Sequence, residues 1–156
     1  MRLSWAVALL AALPETAMAA LFGNLFAGSA PESLGARNGQ LGACSDRPNC
    51  VSSQMSDAVH AVKPIRVTGD AGAAMSRLAA LIETQEGARI VTRRADYLHA
   101  EYQSKLMGFV DDLEVLADPA AHVIHVRSAS RLGYSDLGVN RARVEALRAA
   151  FTAGPS

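Results

Sequence analysis

Aromatic side chains are scarce, at 5% of the 156 residues. That is too few for the stacking platform on which single-stranded nucleic acid is held. Excess charge is missing too: 15 Lys+Arg stand against 15 Asp+Glu. A neutral chain without a basic stripe excludes a nucleic-acid binder. Only two cysteines occur, and the histidines are not spaced to complete a four-ligand zinc set. There is no G-x-S-x-G, no phosphate-cradling glycine loop and no dinucleotide fingerprint. No apolar run reaches the roughly twenty residues that a membrane-spanning helix requires. What is present is a chain 50% apolar and 19% charged. That balance excludes disorder as the main state, and the length allows one domain.

The first residues carry their own message. Met1-Arg2 supplies one positive charge, Leu3 to Leu13 is an almost unbroken apolar run, and Pro14-Glu15 ends it before Ala17-Met18-Ala19. A charged start, a short apolar stretch and an A-x-A site make a secretory signal. Cleavage is expected after Ala19, which removes Arg2 and Glu15 and leaves the mature chain neutral. Residues 1–19 are therefore read as a signal peptide, 20–40 as a flexible leader and 41–152 as the folded domain. The expected location is a bacterial periplasm. Leu41-Gly42-Ala43-Cys44 has the look of a lipobox but does not directly follow the apolar run.

In an oxidising compartment, Cys44 and Cys50 read first as a disulfide around the turn-rich loop Ser45-Asp46-Arg47-Pro48-Asn49. A redox pair would more often be C-x-x-C beside a βαβ pattern.

Regular periods begin at Lys63. Pro64–Thr68 predicts a short strand. Asp70 is a good helix cap, and Met75, Leu78 and Ile82 recur at helical spacing until Gly87. Four strands follow: Ala88–Arg94, Tyr97–Ser104, Phe109–Ala117 and Ala121–Ser130, joined by short connections that require antiparallel neighbours. A turn over Gly133–Gly138 leads to a helix over Val139–Phe151, with Val144, Leu147 and Phe151 on one side. The fold class is α+β: a single antiparallel sheet of about five strands, ordered β-α-β-β-β-β-α, with two helices packed on one face.

The densest polar stretch runs from Arg127 to Arg141. Arginine forks and the start of a helix suit carboxylates and phosphates, so Ser128, Ser130, Arg131, Asp136, Asn140 and Arg141 are candidate anion ligands. The simplest hairpin register places Asp111 between Glu101 and Arg127, adding those three as a polar row. A one-residue slip would undo that row. His122 and His125, three apart on a strand, point to opposite faces and do not form a metal pair. No metal and no cofactor is implied.

The segments also resemble a known family. Cys44-Ser45-Asp46-Arg47-Pro48-Asn49-Cys50-Val51-Ser52-Ser53 is similar to the C-P-x-x-P-N-C-V-S-S segment of the DUF1499 family, with Ser45 where the pattern has Pro. The likeness continues through Tyr97–Glu101, Phe109–Glu114 and Arg127–Arg131 to Asn140-Arg141. The resemblance implies a domain of unknown function, found in bacteria and photosynthetic organisms, and supplies no reaction.

The leading expectation is an exported, non-enzymatic domain that binds an anionic small molecule or an envelope protein through the polar cluster. A hydrolase or isomerase with Glu101 or Asp111 as acid–base is the first alternative. The second is an envelope interaction module with an exposed apolar patch around Val51 and Met55.

Overall fold

The computed structural model describes residues 26–154; the expected signal peptide lies outside them. Six strands and two helices follow in order: β1 (Cys50–Ser52), β2 (Ile65–Arg66), α1 (Ala71–Glu83), β3 (Ala88–Arg93), β4 (Tyr97–Gln103), β5 (Val110–Asp118), β6 (Val123–Ser130) and α2 (Val139–Ala153). All strands join one antiparallel sheet, with spatial order β1-β6-β5-β4-β3 and β2 also on β6. The sheet is one strand larger than expected, because β1 pairs Cys50–Ser52 with Ala129–Arg127. Three residues in a turn-rich stretch show no period, so the sequence reads them as coil.

Asp70 caps α1 by accepting the Ala73 N–H at 2.7 Å. The helix stops at Glu83, and the chain turns into β3 through Gly87, whose φ is +73°. A Cβ there would sit 2.4 Å from the Gln103 carbonyl oxygen, so the turn requires glycine. β3 carries a bulge between Ile90 and Thr92.

Strand alternation divides the sheet. Leu98, Ala100, Leu113, Val115, Ile124 and Val126 face the helices, which bury Met75, Leu78, Ile82, Val144, Leu147 and Phe151 against them. Truncating Leu78 or Leu147, each 0% exposed, would cost about 2–5 kcal/mol. Both helices lie on this one face.

The other face is covered by chain without regular structure. Leu41 and Ala36 pack on Tyr97 and Leu116. The Gly35 N–H donates to Glu114, and the Leu41 N–H to Gln54. Residues 33–41, assigned from the sequence largely to a flexible leader, are thus held against the sheet. Their contacts are scattered and leave no period to read. Cys44 and Cys50 form a disulfide with a Cα–Cα distance of 5.6 Å. Among the described residues, no helix is long and apolar enough to cross a membrane.

Candidate functional site

The polar side chains of β4, β5 and β6 segregate onto the two faces of the sheet. On the face away from the helices, β5 contributes Asp112 and Glu114, opposite Glu101 and His99 of β4 and Ala129 and Arg127 of β6. Arg131 binds Asp112 at two points, Nε to Oδ2 at 2.8 Å and Nη2 to Oδ1 at 2.7 Å. The same Nη2 reaches Glu101 at 2.6 Å, and Arg89 holds the other Glu101 oxygen at 2.6 Å. His99 Nε2 donates to Asp112 at 2.7 Å. Glu114, 0% exposed, accepts from Tyr97 Oη at 2.7 Å, Arg127 Nη1 at 3.0 Å and the Gly35 amide at 2.8 Å.

The charges balance in this network, and the pKa shifts follow. Burial alone would raise the Asp112 carboxyl, but hydrogen bonds from Arg131 and His99 outweigh it and hold it below its ordinary value. Glu101 is likewise lowered: burial raises it, and Arg131 and Arg89 pull it further down. Tyr97 is pushed up by burial and by its bond to the Glu114 carboxylate. A general acid working at neutral pH needs the opposite shift from that of Glu101.

The expected row Glu101–Asp111–Arg127 is therefore corrected. Asp111 pairs with Tyr102 and Ser130 across the ladder and faces the helices. The carboxylates between Glu101 and Arg127 belong to Asp112 and Glu114. One residue of register exchanges the faces, as the period of two dictates.

On the helix side, Asp111 meets Arg143 of α2 at 2.6 Å, and the Arg143 guanidinium lies over the Tyr102 ring. Burial pushes the Tyr102 hydroxyl up to about 12. The centre of this corner is Asn140, 0% exposed. Its Oδ1 accepts from Ser128 Oγ at 2.5 Å and Arg143 Nη1 at 2.6 Å. Its Nδ2 reaches Ser130 Oγ at 2.9 Å and Asp136 Oδ2 at 2.8 Å. Asp136 accepts the Gly138 and Asn140 amides at the start of α2, and its carboxyl sits below its ordinary value because these bonds outweigh burial. Arg141 donates to the carbonyls of Ala61 and Val59, tying α2 to the chain before β2.

The nine residues read from the sequence thus fall into two groups. Glu101, Arg127 and Arg131 lie on the face away from the helices. Asp111, Ser128, Ser130, Asp136 and Asn140 lie in the helix-side corner, with Arg141 tied to the neighbouring loop. Each charged member has a partner within the fold. Arg143 and Asn49, whose Nδ2 donates to the Gly133 carbonyl at 2.9 Å, complete the corner and were missed in the sequence.

One further arrangement bears on catalysis. Ser53 Oγ lies 3.2 Å from His125 Nδ1 and accepts the Val126 amide at 2.9 Å, while His125 Nε2 is 3.7 Å from Asp118. The register supplies the base that Ser53 lacks in the sequence. The carboxylate stands out of hydrogen-bond range of the imidazole, so the relay that activates a serine is incomplete. Among the described residues, no group of three His, Cys, Asp or Glu side chains could hold a metal ion.

Unpaired charge gathers elsewhere, in a groove of about 1070 Å³ between β2, the start of β6 and the C-terminal half of α2. Lys63, Arg66, Arg77, His122 and Arg148 line it, over a floor that includes Val67, Val123 and Phe151. The Arg77 guanidinium lies 3.8 Å over the Phe151 ring. Arg148 pairs with Glu145, yet its Nε–H is buried without an acceptor. Lys63, Arg66 and Arg77 form no ion pair among the described residues. The sequence gives no sign of this gathering: the cations come from separate elements, and each alone reads as part of a solvated surface.

The family model described as a protein of unknown function (DUF1499) matches residues 40–151. The chain belongs to the DUF1499 family. The match takes in the cysteine loop, both polar networks and all five basic groove residues. The DUF1499 likeness drawn from the cysteine loop and the strand ends is thereby shown. No curated protein and no solved structure matches the chain.

Proposed function

We propose that this DUF1499 chain is an exported binding domain, resident in the periplasm, that takes an anionic small molecule in its basic groove and performs no chemistry on it. The observation that carries the reading is the set of cations lining that groove, Lys63, Arg66 and Arg77, which form no ion pair among the described residues of a chain of zero net charge. Guanidinium forks favour carboxylate and phosphate oxygens, and a cluster of like charge is relieved by an incoming anion. The apolar floor of Val67, Val123 and Phe151 suits a ligand with a hydrocarbon body behind its charged head. The disulfide supports residence in an oxidising compartment. The polar cluster read from the sequence is occupied by internal partners, so the groove takes its place as the candidate site.

The test is a nitrogen–proton correlation titration of the full chain with inorganic phosphate and with dodecyl phosphate. Amide shifts confined to residues 63–68, 121–123 and 148–152, tighter for dodecyl phosphate, are expected. Arg66→Ala with Arg77→Ala, both exposed positions, should weaken binding at least about tenfold while the spectrum keeps its dispersion. Saturable shifts centred on Arg131 and Arg141, or no saturable shifts with either anion, would overturn the assignment.

A further inference from the structure

Large apolar side chains stand in solvent at the end of the sheet opposite the groove. Leu106 and Met107, in the β4–β5 turn, are 92% and 44% exposed; Leu132, Tyr134 and Leu137, in the β6–α2 corner, are 41%, 70% and 95% exposed. The two loops meet. The Arg131 amide donates to the Val110 carbonyl, and Phe109 and Val139 line one cavity. Phe26 stacks on Phe109 with ring centroids 5.2 Å apart, and Gly28 lies close against Leu132. Of the two residues expected to form a patch at the cysteine loop, Val51 is 4% exposed and Met55 is half-buried.

The backbone of Leu137 is unusual. Its φ is +55°, a left-handed conformation that a branched side chain rarely adopts. The turn, in which the Leu137 amide donates to Ser135 Oγ at 3.3 Å, leaves an uncharged, flexible hydrocarbon almost wholly in water with no packing to reward it. Residues kept in such conformations cluster at sites of contact.

We infer that this apolar end is a membrane-docking surface whose occupant is the interface of a phospholipid bilayer. Two observations favour lipid over a rigid protein partner. The exposed side chains sit at the tips of separate loops, so they project as wedges and do not line a groove. The stack of Phe26 on Phe109 also places the N-terminal leader at the patch. Once the expected signal is removed, the leader before Phe26 still carries Leu21, Phe22 and Leu25. Any membrane contact made by that leader would bring this end of the domain to the bilayer. Leucine, methionine and tyrosine at loop tips gain from entering the acyl boundary in proportion to the apolar area they bury.

The experiment uses the full chain with an environment-sensitive nitrobenzoxadiazole label at Leu106→Cys, Leu137→Cys or, as a control, Val91→Cys on the far edge strand. Vesicles of phosphatidylethanolamine and phosphatidylglycerol are the probe. Labels at positions 106 and 137 should brighten several-fold and shift to the blue on vesicle addition, while the label at 91 stays unchanged. Leu106→Asp should abolish the response at 137 without changing the circular dichroism spectrum. A chain that floats with vesicles while labels at 106 and 137 stay silent would overturn the inference, because the leader alone would then be the anchor. A blue shift that appears without lipid and grows with protein concentration would also overturn it, by assigning the patch to a second copy.

Discussion

Asp112 and Arg131 meet as a two-point ion pair, with side chains only 1% and 7% exposed. Such a pair adds little net stability over an apolar isostere, yet removing one partner strands a buried charge. Arg131→Met should therefore lose about 3–5 kcal/mol of unfolding free energy, because Asp112 and Glu101 both lose their shared cation. Urea unfolding followed by circular dichroism measures this. A loss below about 1 kcal/mol would mean that water reaches Asp112 freely.

Acid should act through the same carboxyls. Glu101, Asp112 and Asp136 all sit below their ordinary values in the fold. In the unfolded chain they protonate near pH 4.3 for Glu and about 3.9 for Asp. Their contribution is thus complete above about pH 5 and declines as pH falls through the lower folded values. The urea midpoint should hold from pH 7 to about 5 as far as these groups are concerned, then fall steeply below about 4. In Arg131→Met the acid limb should flatten. A midpoint constant down to about pH 3 contradicts the depressed values.

Asn140 should prove a keystone of the corner. Asn140→Ala removes the common partner of Ser128, Ser130 and Arg143; Arg143 keeps Ser128 and Asp111, but the buried Ser128 hydroxyl loses its acceptor, at a cost of about 1–3 kcal/mol. Amide exchange of residues 133–138 should accelerate ahead of the β4–β5 hairpin. Uniform loss of protection across the chain would show that the corner does not open by itself.

The disulfide should matter less. Its ring is short, with a sequence separation of 6, and loop entropy for such a ring gives about 2 kcal/mol. The Cys44→Ser variant should stay folded at 25 °C with a lowered midpoint. Failure to fold would assign the bond a larger part than chain entropy supplies.

Periodicity made the fold class legible. Helix spacing at Met75, Leu78 and Ile82 and strand alternation at Leu98, Ala100 and Tyr102 both correspond to buried faces. What escaped was information without a period. β1 is three residues long, and residues 33–41 cover the face away from the helices through single contacts. The candidate site was legible in composition but not in pairing. Glu101, Arg127 and Arg131 do share a face, yet neighbouring Asp111 and Asp112 look equivalent in a sequence, and only the ladder decides which of them they meet. The basic groove depends on distances between residues up to 85 positions apart, from Lys63 to Arg148, which no local window spans.

The bulge in β3 has a consequence for how this chain behaves among its own copies. A regular edge strand offers a row of free amides and carbonyls on which another chain can template itself. Here one edge is broken between Ile90 and Thr92 and guarded by Arg89 and Arg93, while the other is divided between strands of three and two residues. Neither edge provides the straight run that cross-β stacking needs. At high local concentration, as on a membrane surface, copies can crowd side by side without fusing into a continuous sheet.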